Sequence, residues 1–241
     1  FRRCSSDLGH EIIGRVTAVG PKVTKFRIGD IGGVGCMVDS CGHCVECLAD
    51  REHACLNGMT LTYASPDKIS GGTTQGGYST GIVVTEKFVI RIPPGVNLAG
   101  MAPLLCAGIT TFSPLQHWKA SRGMKVGVIG LGGLGHMAVK LAVAKGADVT
   151  VFTTSPGKQA AALLMGAREA VLWTDQTQMH SFGPALDFLI AAVPPAFPFQ
   201  PFIHLPNTDA TSANYRPLEA NRGYHSITKH TSRPNPPGPT L

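Results

Sequence analysis

Four cysteines fall within the fifteen-residue run CGHCVECLADREHAC, from Cys41 to Cys55, and they constrain this chain more than any other feature. Intervals of two, two and seven residues let Cys41, Cys44, Cys47 and Cys55 converge from one loop on a single tetrahedral ion. Zn²⁺ suits four thiolates because it imposes no geometry beyond closing the shell, and a shell filled by sulfur leaves no opening for water. A structural zinc is therefore expected. The competing reading is two disulfides or plain buried thiols. Small secreted disulfide frameworks, however, scatter their cysteines through the chain, whereas four of the seven here share one loop.

A chain of 241 residues can hold one large or two modest domains, each with a core able to offset chain entropy. A hydrophobic content of 43% and a mean hydropathy of +0.10 point to a soluble globular protein. No apolar run approaches a membrane span, and Phe1–Gly20 has no basic-then-apolar leader. The expected location is the cytoplasm, where metal-binding thiols stay reduced. The net charge of +6 invites a nucleic-acid reading, but the basic residues are spread without a cluster or an aromatic-interleaved stripe. Around the cysteine loop, Asp39, Glu46, Asp50 and Glu52 outnumber Arg51, which argues against a zinc-ribbon nucleic-acid module.

Residues from about His10 to Pro94 read as strands and loops. Glu11–Val19 alternates and is closed by Gly20-Pro21. Phe26–Val34 and Gly81–Ile92 are further strand candidates, the last ending at Pro93-Pro94. From Leu98 the pattern turns helical, with Ala102–Trp118 carrying Cys106. A different regime follows. Lys125–Ile129 and Asp148–Phe152 are short apolar runs, as strands covered on both faces should be. Between them Gly133–Lys145 has helical spacing, and Ser155-Pro156 can open a helix that stops at Gly166. Ala170–Trp173 and Leu186–Ile190 supply two more strands. This alternation specifies a doubly wound parallel sheet. Ten of the 18 prolines lie from Pro194 onward, so residues 194–241 are expected to be a disordered tail that adds no strand.

Gly130-Leu131-Gly132-Gly133-Leu134-Gly135 is a GxGxxG between a strand and a helix. The first glycine permits the tight turn, the second lets the backbone approach a pyrophosphate, and the third allows close helix–strand packing. The pyrophosphate then rests on unpaired N–H groups of the helix N-terminus. At the end of the next strand a carboxylate would favour NAD by binding the ribose hydroxyls. This chain has Thr153, Thr154 and Ser155 there instead, with Lys158 one turn into the following helix. Hydroxyls, amides and a cation make a socket for a 2′-phosphate, which favours NADP(H). The bland alternative is a capped helix with a solvated lysine.

Gly9-His10-Glu11 and Cys106, in PLLCAGIT, gain interest beside a zinc loop and a dinucleotide turn; a lone histidine or cysteine is otherwise more often a packing residue. The segments GHEIIGRVTAVG, GVGCMVDSCGHCVEC, GGYS, PLLCAGITT, KVGVIGLGGLGHMAVKLA and TTSPGK, in this order, give the chain its resemblance to a known family. It resembles the zinc-dependent medium-chain alcohol dehydrogenases, above all their cinnamyl-alcohol-dehydrogenase-like, NADP-dependent aldehyde reductase branch. The resemblance implies a GroES-like β domain over residues 1–97, with the structural zinc loop at 36–58. Connecting helices at 98–120 and an incomplete Rossmann-type α/β domain at 121–193 would follow. It implies that His10 and Cys106 bind a catalytic zinc, with Glu11 as the acidic neighbour of the metal. Cys41, Cys44, Cys47 and Cys55 match the structural zinc ligands, and Thr110 matches a threonine packed beside the nicotinamide. The implied reaction is hydride transfer between NADP(H) and a primary alcohol or aldehyde.

The family takes a further zinc-binding cysteine well upstream of the GHE motif, and Cys4 stands too close to His10 to match it. The match also fades after about Val193. The chain is thus expected to be truncated at both ends, with little activity alone and a doubtful homodimer. The alternative function is an inactive remnant that keeps the structural zinc and weak dinucleotide binding. Met59–Tyr63 lacks the tryptophan that cinnamyl-type enzymes often carry, which makes lignin-type aldehydes a poor expectation.

Overall fold

The computed structural model describes residues 8–180, 182, 185–193, 197–214 and 226–229. The chain divides into two compact units, Phe1–Ile109 and Thr110–Leu241.

The first unit is built from short antiparallel strands. β1 (Ile12–Arg15) pairs with β2 (Ile31–Val34) in the register Ile13↔Gly33. Beyond Arg15 the ladder closes with Val16, which donates to the Asp30 carbonyl, so the strand expected to reach Val19 is only four residues long. β3 (Met37–Asp39) leads into the cysteine loop with its one-turn helix α1 (Val45–Leu48). β4 (Thr60–Leu61) returns to pair with β3, and β5 (Tyr63–Pro66) pairs with β6 (Thr73–Gln75). β7 (Val89–Arg91) completes the first sheet against β2. The longer strand expected over Gly81–Ile92 does not form. Residues 82–85, β-branched throughout, have no partner strand, Val83 is fully exposed, and Glu86–Phe88 is a 3₁₀ turn. Phe26, Val34, Ile92 and Leu105 are the buried apolar centre of this unit.

The helical stretch is broken rather than continuous. α2 (Leu98–Met101) is capped by the Asn97 side chain, which accepts from the Gly100 amide. A 3₁₀ turn at Ala102–Leu105 follows, and Cys106, with φ −124° and ψ −79°, separates it from α3 (Ala107–His117). Pro103 in the 3₁₀ turn has no amide to donate, which suits a break at this point.

Among the described residues the second unit forms a six-stranded sheet. Its members are β8 (Lys125–Ile129), β9 (Asp148–Thr153), β10 (Glu169–Leu172), β11 (Leu186–Ala191), β12 (Pro206–Asn214) and β13 (Ser226–Lys229). The order is β10-β9-β8-β11-β12-β13, parallel throughout except for the last pair. The crossovers carry α4 (Gly133–Ala144), α5 (Pro156–Leu164) and α6 (Gln176–His180). Side chains alternate between two faces, both buried. Val126, Val128, Val149, Val151, Phe188 and Ile190 pack with Ala138, Val139 and Ala142 of α4, whereas Ile129, Phe152 and Leu189 meet Phe202 and Leu205. Coverage on both sides is why these strands read as continuous apolar runs.

The reading of residues 194–241 as a tail without strands is corrected here. Pro206 heads β12, where a missing amide is tolerated. Residues 207–214 contain no proline and pair with β11 through Leu189↔Ser212 and Ile190↔Ala213. Just before β12, Phe202 is fully buried among Phe152, Trp173 and Phe197, at ring distances of 5.5, 5.7 and 5.3 Å. The rest of the expected tail, residues 215–225 and 230–241, lies outside the described residues.

The order of the strands reverses direction between β8 and β11, and a topological switch point of this kind opens a crevice at the carboxyl ends of the strands. The glycine turn begins there.

Candidate functional site

The four thiols of the cysteine loop meet. Their sulfurs all lie within 4.8 Å of one another, with Cys41 Sγ 3.8 Å from Cys47 Sγ and Cys44 Sγ 4.0 Å from Cys55 Sγ. A tetrahedral zinc with bonds of about 2.3 Å separates its sulfurs by roughly 3.8 Å, so the donor set fits. A disulfide needs sulfurs about 2.05 Å apart, and none of these pairs is one. The loop turns so that backbone amides face the sulfurs: Cys44 donates to Cys41 Sγ at 3.4 Å and Cys41 to Cys55 Sγ at 3.5 Å. The His43 amide, followed by the Asn57 side chain, brings the Cys41 thiol down to about 5; the Cys47 and Leu56 amides lower Cys44 in the same sense. Such amides favour thiolate at Cys41 and Cys44, whereas, against a hydrogen bond to Ser40, burial and the contact with Cys44 push Cys47 up to about 11. Arg51 donates to Glu46 at 2.6 Å, and Lys87 pairs with Glu52, anchoring the loop to the turn before β7.

A second cluster forms within the same unit, from three distant segments. His10 Nε2 lies 3.0 Å from Cys106 Sγ across 96 residues of sequence. Cys36 Sγ joins them, and the three donor atoms are mutually within 4.8 Å. The His10 segment is held where the Gly77 amide donates to the Gly9 carbonyl (2.9 Å) and the Tyr78 amide to the Leu8 carbonyl (3.0 Å). The imidazole stacks on Tyr63 with centroids 5.4 Å apart. Cys36 follows β2, and its carbonyl accepts from the Thr62 amide at 3.1 Å. The contact with Cys106, reinforced by its charge and that of Glu11, raises His10 above its ordinary value of 6.5 against the effect of burial. The hydrogen bond between the two thiols lowers Cys36 and, reciprocally, raises Cys106.

Glu11 is exposed and its carboxylate does not join the three donors. It lines, with Leu8, His10, Tyr63, Gly77 and Tyr78, a cavity of about 370 Å³, a size suited to a small organic molecule. Thr110 sits half-buried in the first turn of α3, at the start of the second unit. Cys4 lies outside the described residues.

Cys36 is the residue that sequence reasoning passed over. Its signal is faint: a cysteine closing the glycine-rich run IGGVGC, overshadowed by the four thiols that follow.

In the second unit Gly130 has φ +87°, which favours glycine, and its amide donates to the Phe152 carbonyl at 2.8 Å. A Cβ at position 135 would collide with the Gly130 carbonyl oxygen, so α4 can begin this close to β8 only with glycine there. At Gly132 and Gly133 nothing lies within 4 Å of the corresponding position, leaving open space over the turn. No side chain caps α4, and the first amides of a helix have no intrahelical acceptor. Leu131 and Leu134 are half-buried. At the end of β9, Thr153 is buried and its hydroxyl accepts from the Ser155 amide at 3.2 Å, while Thr154 and Lys158 are exposed. Ser155 stands at the N-cap position of α5 without using its hydroxyl as a cap, contrary to the capping role expected for it.

A β unit carrying a four-thiolate loop and a His/Cys cluster, joined in sequence to a parallel sheet with a glycine turn at its switch point, defines the medium-chain dehydrogenase architecture. Residues 2–94 match the alcohol dehydrogenase GroES-like domain. The chain is 51% identical over 204 residues to the aldehyde reductase YahK of Escherichia coli K12, covering 84% of this chain and 58% of that protein. Among solved structures it is similar to a cinnamyl alcohol dehydrogenase of Sorghum bicolor, with a TM-score of 0.82 and 43% identity over 88% of this chain and 62% of that one. It is likewise similar to the cinnamyl alcohol dehydrogenase of Helicobacter pylori complexed with NADP(H), with a TM-score of 0.79 and 40% identity, covering 89% and 59%. Residues 2–94 thus form an alcohol dehydrogenase GroES-like domain, and the homologues of the chain include NADP-dependent alcohol dehydrogenases, an aldehyde reductase and cinnamyl alcohol dehydrogenases. The chain spans about three fifths of the length of these relatives. Among the described residues no single helix is long and apolar enough to cross a membrane.

Proposed function

We propose that this chain carries the zinc and nucleotide sites of an oxidoreductase that exchanges hydride between NADP(H) and a primary alcohol or aldehyde. The observation that carries this reading is the approach of His10 Nε2 to Cys106 Sγ at 3.0 Å beside a cavity of small-molecule size. An imidazole and a thiol converging from opposite ends of one unit are a donor pair that suits zinc. Bound there, the ion would act as a Lewis acid toward the substrate oxygen and lower the pKa of an alcohol.

The residues of the chain do the rest. His10 is oriented by stacking on Tyr63 and by the two backbone bonds that fix residues 8 and 9. Glu11 places a negative charge at the mouth of the same cavity, where it favours a cation at His10. Cys41, Cys44, Cys47 and Cys55 hold the structural zinc, which ties β3 to the loop. The nucleotide is assigned to the turn from Gly130 through Leu131, Gly132, Gly133 and Leu134 to Gly135, with the pyrophosphate on the first amides of α4. Thr153 shapes the turn after β9, while Thr154, Ser155 and Lys158 offer two hydroxyls and a cation to a 2′-phosphate. Thr110 is assigned to the nicotinamide by family likeness.

The test is metal content and turnover on one preparation. Two zinc ions per chain with NADPH oxidation by an aldehyde support the assignment. One zinc ion and no turnover with any aldehyde selects a chain that keeps only the structural metal.

A further inference from the structure

We propose that Asn57 is a deamidation site kept unreactive by the closed cysteine loop, and that its reaction makes loss of the loop's ion permanent; this rests on the reading that the four thiols hold an ion. Asn57-Gly58 is the one Asn-Gly step in the sequence. Glycine has no Cβ to shield its amide, so an asparagine before it closes readily into a cyclic imide. Asn57 is exposed and stands two residues beyond Cys55. The reaction begins when the Gly58 nitrogen bonds to Cγ of the Asn57 side chain. The side-chain nitrogen leaves as ammonia, taking the proton of the Gly58 amide, and the imide remains. Water then opens the ring at either carbonyl, giving aspartate or isoaspartate.

Three contacts in the closed loop oppose the first step. The Gly58 amide donates to the Cys55 carbonyl at 3.0 Å, with Gly58 held at φ +76°. The Asn57 side-chain amide donates to the sulfur of Cys41. Lys68 Nζ, from the hairpin between β5 and β6, donates to the carbonyls of Asn57 and Gly58 at 3.0 and 2.8 Å. Nucleophile and electrophile are thus each engaged elsewhere, and the peptide unit that joins them is clamped. Two of the contacts end on residues that bear the thiols, so opening the loop releases both reacting groups. The product then works against closure. A carboxylate stands where an amide donated to Cys41 and repels its thiolate, and isoaspartate lengthens the main chain between Cys55 and β4 by a methylene.

The experiment uses the full 241-residue chain under reductant at neutral pH, either loaded with Zn²⁺ or stripped by a chelator. Asn57 is followed by peptide mass and by released ammonia, and the loop's ion is identified as the one absent from Cys44→Ser. Stripped chain should convert Asn57 at least about tenfold faster than loaded chain, because local opening exposes the step. In the loaded chain Lys68→Ala, which frees both carbonyls, should raise the rate about tenfold. Asn57→Asp, and stripped wild type after conversion, should bind the loop's ion about tenfold more weakly. Far-UV circular dichroism reports that each variant is folded, and the comparison of loaded with stripped wild type needs no variant. Equal rates in the two forms, or conversion of another asparagine in place of Asn57, overturns the proposal. Undiminished affinity after conversion overturns the permanence of the loss. Zinc content unchanged by Cys44→Ser overturns the reading of the four thiols beneath it, a distinct result.

Discussion

Gly35 and the Leu105 carbonyl oxygen are so close that a β-carbon on residue 35 would lie 2.6 Å from that oxygen. The obstacle is backbone, which cannot rotate away as a side-chain tip can. Gly35→Ala must therefore push apart the end of β2 and the 3₁₀ turn at Ala102–Leu105, which lead to Cys36 and Cys106. Overpacking of this kind costs about 1–3 kcal/mol. Urea unfolding of the zinc-loaded chain should show a loss in that range, with weaker retention of the second metal ion.

The cysteine loop should respond to loss of one thiol as a unit. Cys44→Ser removes one corner of the tetrahedron and leaves the Cys47 and Leu56 amides without their thiolate. Zinc content should fall by about one ion per chain, and protease should then cut between Cys41 and Cys55. Unchanged zinc content and cleavage pattern would show the four thiols to be mere packing.

At the nucleotide turn two substitutions should separate. Gly135→Ala collides with the Gly130 carbonyl oxygen and displaces the start of α4, so affinity for NADPH and NADH alike should fall more than about tenfold. Lys158 is exposed at the start of α5, and Lys158→Ala should weaken NADPH about tenfold while leaving NADH nearly unaffected. Fluorescence titration of both nucleotides reads this difference directly. Equal losses for the two would remove Lys158 from the phosphate socket.

Phe202 tests the late part of the chain. Its ring is fully buried against Phe152, Trp173 and Phe197, and truncation to alanine should cost about 3–5 kcal/mol. If residues beyond Ala191 were dispensable to the second unit, Phe202→Ala would unfold at the wild-type denaturant concentration.

Asp30 gives a prediction on the acid side. The Arg27 amide first, and the Arg91 guanidinium after it, hold this carboxyl below its ordinary value of 3.8. A carboxyl depressed by folding stabilises the native state above its unfolded pKa, and that contribution disappears as pH falls through the lower folded value. Melting temperature recorded from about pH 6 down to about pH 2.5 should drop less steeply for Asp30→Asn than for the wild type.

The sequence reveals most where the physical cause is local. Cys41 to Cys55 are neighbours in the chain, and Gly130 to Gly135 follow a strand that must be apolar on both faces, so spacing alone locates them. The sheet strands from Lys125 to Ala191 were legible for the same reason. Gly81–Ile92 misled because β-branched residues suit a strand only when a partner is at hand, and here only Val89–Arg91 finds one. β12 was hidden by the prolines around it, although its own residues 207–214 have none. Cys36 was illegible for another reason: its approach to His10 and Cys106 depends on the absence of a side chain at residue 35, a long-range contact that leaves no periodic trace.

The two candidate metal sites differ in how much chain must be arranged before they exist. The fifteen-residue cysteine run needs only a short loop to close, an entropic demand met while the polypeptide is still largely unorganised. The cluster of His10, Cys36 and Cys106 spans 96 residues and takes shape only once the whole first unit has assembled. The cysteine run can therefore close on an ion early in folding, whereas the His10 cluster exists as a donor set only on a finished scaffold.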